Sequence, residues 1–159
     1  MKKIFLVMIL AGCSLLLFYI GTAFATEPTN IGDLEFGIDG IKWGTNINEL
    51  SGFTIHEDAG DGRKIYTRDV DDLLFGRVDL VLRFYGFEND KFCTYAIGVM
   101  GRSNVQVLNW TLMDIYGNPD RVIGGNRVWD FGDVRIQYSE NNENVTLIFF
   151  YVPIVSGTS

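Results

Sequence analysis

The sequence predicts an α+β domain, an antiparallel sheet with one helix packed on a face. Three observations carry that prediction. A period of two runs through "RVDLVLRFYGF". Steps of three and four replace it across "SNVQVLNWTLMDIY". Around both lie β-branched and aromatic runs separated by Gly, Asn and Asp, the spacing of short strands and tight turns.

The chain opens on a different kind of segment. Lys2 and Lys3 precede an apolar run from Ile4 to about Ile20, and Ala23-Phe24-Ala25 follows in the small-x-small pattern of a signal-peptidase site. Residues 1–25 are therefore read as a signal peptide, with the mature chain starting at Thr26. Two alternatives compete. The segment 4–25 is long enough to stay as a membrane anchor, since a hydrocarbon core takes ~20 apolar residues. "LAGC" offers Cys13 as a lipidation site, but lipidation there would leave "SLLLFYIGTAFA" where a polar tether belongs. All three outcomes export the rest of the chain, most simply to the periplasm.

Without the leader, 134 residues remain, enough for one domain with a core of its own. They carry 11 basic and 20 acidic side chains, a net charge of −9. That argues against nucleic acid, and against a membrane surface unless the N-terminal segment is retained. Cys93 is the one cysteine left, so the core holds without an internal disulfide. In "KFCTYAIGV" it reads as a small buried hydrophobe.

The domain is expected over 34–153, between a tail at 26–33 and an unpatterned tail at 154–159. "LEFGIDGIKWGTNINELSG" reads as a short strand, a Gly-bounded turn and a short helix near 46–51, capped by Thr45 or Asn46. "FTIHED" and "RKIYTRDV" flank "AGDG" as a hairpin. Val78, Leu80, Leu82 and Phe84 then alternate with Asp79, Val81, Arg83 and Tyr85, which predicts a strand with one buried face. After the polar tip Glu88-Asn89-Asp90-Lys91, a second strand runs from Phe92 to Met100. Val105, Leu108, Leu112 and Ile115 form one stripe of a helix at about 104–116. Ser103 or Asn104 caps it, Gly117 ends it, and Pro119 stops it. "NRVWDF", "DVRIQYSE" and "VTLIFFYVP" close the chain as strands, the last two joined by "ENNEN".

The two hairpins echo each other. Gly76, Val78, Leu80 and Leu82 align with Gly132, Val134, Ile136 and Tyr138, each set followed by a polar tip and an apolar strand. The echo suggests a tandem repeat of helix plus strands. In the second half, Leu112, Tyr116, Gly117, Pro119, Trp129, Ile136, Tyr138, Val145 and Leu147 trace a helix, "x-G-x-P", a loop, an aromatic strand and a hairpin. That layout resembles the small lipoprotein of the outer-membrane β-barrel assembly machine. A tandem of such units is similar to the β-lactamase-inhibitor protein. "GIKWGTNINEL" resembles the start of small uncharacterised exported bacterial proteins. These resemblances imply a fold and an envelope setting and carry over no binding residue.

Few residues offer chemistry. His56 is the only histidine, which excludes multi-histidine metal sites. A Cys93–His56 nucleophile pair would need an activated thiolate, and the apolar run around Cys93 works against one. Glu57, Asp58, Asp61, Asp69, Asp71 and Asp72 form two acidic clusters without the ligand order of a calcium loop. "VIGGN" lacks the Lys and Ser/Thr of a phosphate loop. Asn109 and Asn144 fit the glycosylation rule, but the first falls within the predicted helix. No catalytic residue, metal or cofactor is expected.

What remains is aromatic. In "VTLIFFYVP", Ile148, Phe150 and Val152 alternate with Leu147, Phe149 and Tyr151, so both faces of the strand are apolar. Either both faces are covered or one binds something. The expectation is an exported, non-catalytic binding module of the cell envelope, its partner an envelope protein or a small apolar ligand. Its candidate contacts are Tyr85, Tyr95, Trp129, Phe131, Phe149 and Tyr151. The competing readings are a carboxylate-based hydrolase and an inhibitor-like binder of another envelope protein.

Overall fold

The computed structural model describes residues 31–69, 78 and 81–155. The expected leader, with Cys13, and the first part of the expected tail lie outside them, as do residues 156–159. Among the described residues, no helix is long and apolar enough to cross a membrane.

The chain begins with a helical turn, α1 (Ile31–Leu34), and a small hairpin of β1 (Gly37–Ile38) and β2 (Ile41–Lys42). A 3-10 turn, Ile47–Glu49, leads into β3 (Phe53–Asp58), β4 (Arg63–Arg68), β5 (Val81–Glu88) and β6 (Lys91–Met100). Helix α2 (Arg102–Tyr116) precedes β7 (Arg121–Ile123), β8 (Asn126–Phe131), β9 (Val134–Asn141) and β10 (Asn144–Tyr151). A turn of helix, α3 (Val152–Val155), follows. The tails expected at 26–33 and 154–159 thus hold some structure, at α1 and α3.

β3 to β10 form one eight-stranded antiparallel sheet in the order β3-β4-β5-β6-β10-β9-β8-β7. Each half is a four-stranded meander. The two meanders join where their last strands pair, with Tyr95 opposite Phe149 and Ile97 opposite Leu147. The hairpin tips follow from their sequence. Asn89 and Asp90 adopt φ of 50° and 63°, the left-handed conformation that Asn and Asp tolerate in tight hairpin turns. The β7–β8 turn, Gly124-Gly125, uses the same geometry at φ of 58° and 87°.

One sheet face is covered. Tyr95, Ile97 and Val99 of β6 share it with Val145, Leu147 and Phe149 of β10, Val134, Ile136 and Tyr138 of β9, and Trp129 of β8. α2 lays Val105, Leu108, Leu112 and Tyr116 onto this face. Its N-cap is Gly101, not Ser103 or Asn104, and Asn104 instead donates its side-chain amide to the Met100 carbonyl at 3.1 Å. Gly117 is the C-cap, and Trp129 Nε1 donates to its carbonyl at 3.0 Å, tying β8 to the helix end.

The predicted buried face of β5 is reversed. Arg83, Tyr85 and Phe87 are buried, whereas Leu82 is 52 % exposed and Phe84 is only partly covered. Both residue sets are largely apolar, so alternation alone does not choose between them. Register does: Tyr85 pairs with Tyr95 and Arg83 with Ile97, and a one-residue slip would flip every side chain. The echo between the hairpins fails for the same reason. It matched Leu82 to Tyr138, which lie on opposite faces.

Over the first half of the sheet, a strap takes the place of a helix. Leu34, Ile38 and Ile41 are buried, and Trp43, Ile47 and Leu50 pack against the same core. The Trp43 ring stacks on Phe92 at 4.9 Å and on Tyr151 at 5.7 Å. Its indole N–H donates to the Leu34 carbonyl at 2.7 Å. Gly37 is required here, because a Cβ on it would lie 2.0 Å from the Ile41 carbonyl oxygen.

Candidate functional site

The six aromatic candidates lie on the covered face. Tyr85, Tyr95, Trp129 and Phe149 are fully buried there, and Phe131 and Tyr151 sit partly buried at its margin. Tyr85 packs against Tyr95, and Tyr95 against Phe149. Large aromatic rings release the most apolar area when buried, so α2 and the strap cover them. They form the core, and the expectation that they line an open face is corrected.

The opposite face presents a different set, fixed by register. Thr94, Ala96 and Gly98 of β6 form a low central row. Phe84 and Leu82 of β5 stand beside Ala96 and Gly98 on one side. On the other, Phe150, Ile148 and Thr146 of β10 stand beside Thr94, Ala96 and Gly98. The result is a shallow groove along β6, floored by small side chains and walled by apolar ones. Gly86 keeps its lower end open, since a Cβ there would come within 2.8 Å of the Thr94 Cβ. That end deepens into a cavity of about 370 Å³ lined by Ile65, Gly86, Cys93, Thr94, Phe150 and Val155, with Glu57, Arg63, Lys64 and Glu88 also on its walls. Arg63 and Lys64 are engaged with surface acids, Asp61 at 2.6 Å and Asp90 at 3.2 Å.

No protein-family model, curated protein or solved structure matches the chain at a significant level. The geometry therefore carries the functional argument.

Cys93 is the extra residue at a bulge in β6, where Gly86 pairs with Thr94 and Phe87 with Phe92. The bulge turns the thiol toward Gly86, whose carbonyl lies 3.6 Å away. Burial pushes the Cys93 thiol above its ordinary value. His56 lies on the sheet-edge strand β3, with its ring 5.2 Å from that of Phe84. β4 and β5 intervene between the strands of Cys93 and His56.

The acidic tip of β3–β4 holds its own turn together. Asp58 accepts from the Gly60 amide at 2.8 Å, and the Arg63 guanidinium keeps the Asp61 carboxyl below the usual carboxylate range. Asp71 and Asp72 lie outside the described residues. Among the described residues, no three His, Cys, Asp or Glu side chains gather as metal ligands. Asn109 accepts from Arg127 at 2.6 Å, and Thr111 of the same sequon is buried.

Two tyrosines carry the polar features of the covered face. Tyr85 donates its hydroxyl to Asp39, and Arg68 bonds the same carboxylate oxygen at 2.6 Å while stacking over the Tyr85 ring at 5.4 Å. Tyr138 donates to Glu140 at 2.8 Å, and Arg127 stacks over its ring at 4.8 Å. Burial, then the adjoining carboxylate, pushes both phenols well above their ordinary value. Neither hydroxyl is a base at neutral pH; both clusters are struts.

Sequence reading missed the groove residues Leu82, Phe84, Ala96, Ile148 and Phe150 as a set. The available signal was the doubly apolar strand "TLIFFY", which implied an apolar second face but did not say whether Ile148 and Phe150 or Leu147 and Phe149 lie on it.

Proposed function

We propose that this chain is an exported, non-catalytic binding module of the cell envelope, and that an envelope protein or a small apolar ligand docks in the groove along β6. The observation that carries the reading is the apolar wall on the face that no helix among the described residues covers. Leu82, Phe84, Ile148 and Phe150 line a sheet face opposite the one α2 covers. A sheet with no role on its second face ordinarily alternates to polar there. The export half of the proposal rests on the leader pattern of residues 1–25. The non-catalytic half rests on Asp58 and Asp61 being engaged with their own turn and with Arg63, and on burial that disfavours the Cys93 thiolate.

The reading includes a tandem architecture. Each meander follows a helical segment, the 3-10 turn in one half and α2 in the other. Aligning the hairpins on Asn89 and Asn142, both left-handed, sets Tyr85 against Tyr138. Arg68 and Arg127, each on the second strand of its meander, then stack over equivalent tyrosines.

The test fills the groove. Ala96→Arg and Leu82→Arg in the exported protein are compared with the unaltered chain for what they retain from an envelope extract. Gln106→Arg, on the exposed side of α2, is the control. A species retained by the unaltered chain and by Gln106→Arg, and lost from both groove variants, supports the proposal. Equal retention by all four proteins, or by none, overturns it.

A further inference from the structure

The strap is fastened unevenly. From Gly44 onward it pairs with the β5–β6 tip through its backbone: Gly44 N–H donates to the Phe92 carbonyl at 2.8 Å, Phe92 N–H to Thr45 at 2.9 Å, and Ile47 N–H to Asp90 at 3.0 Å. Upstream of Gly44 it reaches the sheet through side chains: the buried Leu34, Ile38 and Ile41, Trp43 stacked on Phe92 and Tyr151, and Asp39. The β1–β2 hairpin is two residues long on each side. A cavity of about 340 Å³ is lined by the strap's own residues, among them Asp33, Phe36, Ile38, Asp39, Ile41 and Lys42.

We propose that residues 33–44 open from the first half of the sheet as one unit, hinged near Thr45, with the Asp39 carboxylate as the latch; opening breaks the Gly44–Phe92 backbone bond and lifts the Trp43 ring from Phe92 and Tyr151. Asp39 is 2 % exposed and sits in the left-handed conformation at φ of 53°, which places it at the tip of the β1–β2 turn. Arg68 and Tyr85, which both bond its carboxylate, belong to the sheet. A charge buried in this way holds only while its counterion is in place, and removing one partner strands the other. Lifting the strap returns Asp39 and Arg68 to water together, which offsets part of the ion pair that opening gives up. It frees the Tyr85 hydroxyl and uncovers the Phe92 ring.

Peptide-level hydrogen exchange on the exported protein tests this. In the unaltered chain, amides of 33–44 should exchange through a shared opening that denaturant accelerates, but less steeply than global unfolding, while those of 144–151 exchange only through global unfolding. Asp39→Asn should speed exchange across 33–44 by ~100-fold or more, well beyond any change at 144–151. Arg68→Gln should act in the same direction. Protection of 33–44 equal to that of 144–151 in the unaltered chain overturns the proposal without any variant. Equal acceleration of both segments in Asp39→Asn also overturns it.

Discussion

The two halves of the sheet share a topology and differ in their cover. Each is a four-stranded meander with a tyrosine on its third strand, an arginine stacked over the ring and a carboxylate on the hydroxyl. Over the second half lies a 15-residue helix with a continuous apolar stripe. Over the first lies a strap of short, turn-rich pieces. The helix meets its own backbone hydrogen-bonding needs and brings a row of side chains as one rigid body. The strap borrows hydrogen bonds from the β5–β6 tip and depends on a buried ion pair. A nearly symmetric sheet is thus held under two unlike covers.

The largest effect is expected on the helix side. Leu108→Ala removes a fully buried side chain between α2 and the sheet and should cost ~3 kcal/mol in urea unfolding. Loss of the whole transition as one cooperative event would show that α2 and both meanders unfold together. On the strap side, Gly37→Ala forces a Cβ into the Ile41 carbonyl and should cost ~2 kcal/mol, chiefly by loosening residues 33–44. Unchanged strap protection would break the comparison at that point.

Smaller effects sharpen it further. Cys93 lies on β6, the strand through which the first half meets the second, and burial raises its thiol. Its thiolate fraction at pH 8 is therefore below that of a free thiol. Native labelling should be slow at that pH and should gain rate only as pH climbs past the ordinary thiol range of ~8.5. Rapid labelling at pH 8 that matches the denatured protein would contradict this placement. Trp110, 72 % exposed on the outer side of α2, marks the low end. Trp110→Ala should change stability by less than ~0.5 kcal/mol, as read from the urea midpoint.

Much of the helix half was legible from the sequence. Val105, Leu108 and Leu112 announced α2 by their spacing, and Gly117 with Pro119 marked its end. The hairpin tips at Asn89-Asp90 and Asn142-Glu143 were readable from turn chemistry. The faces of β5 were not, because Leu82, Phe84, Tyr85 and Phe87 are all apolar and only pairing with β6 assigns them. β7 was missed although Gly124-Gly125 is a hairpin signal, because three residues are too few to show a period. The strap resisted reading for a physical reason as well: its order comes from contacts with β4, β5 and β6, which lie far along the chain. The aromatic candidates were found by residue type, and type alone does not separate a core ring from a binding ring.

The most direct test removes one oxygen from each half. Tyr85→Phe deletes a donor to a carboxylate that is almost fully buried, and Tyr138→Phe deletes a donor to one that is 38 % exposed and open to water. A buried acceptor that loses a donor costs about 1–3 kcal/mol, whereas a solvated one recovers a bond from water. Measured side by side by urea unfolding, Tyr85→Phe should be the more destabilising variant by at least ~1 kcal/mol. Equal losses, or a larger loss for Tyr138→Phe, would contradict the claim that the first half depends on its buried latch while the second depends on its helix.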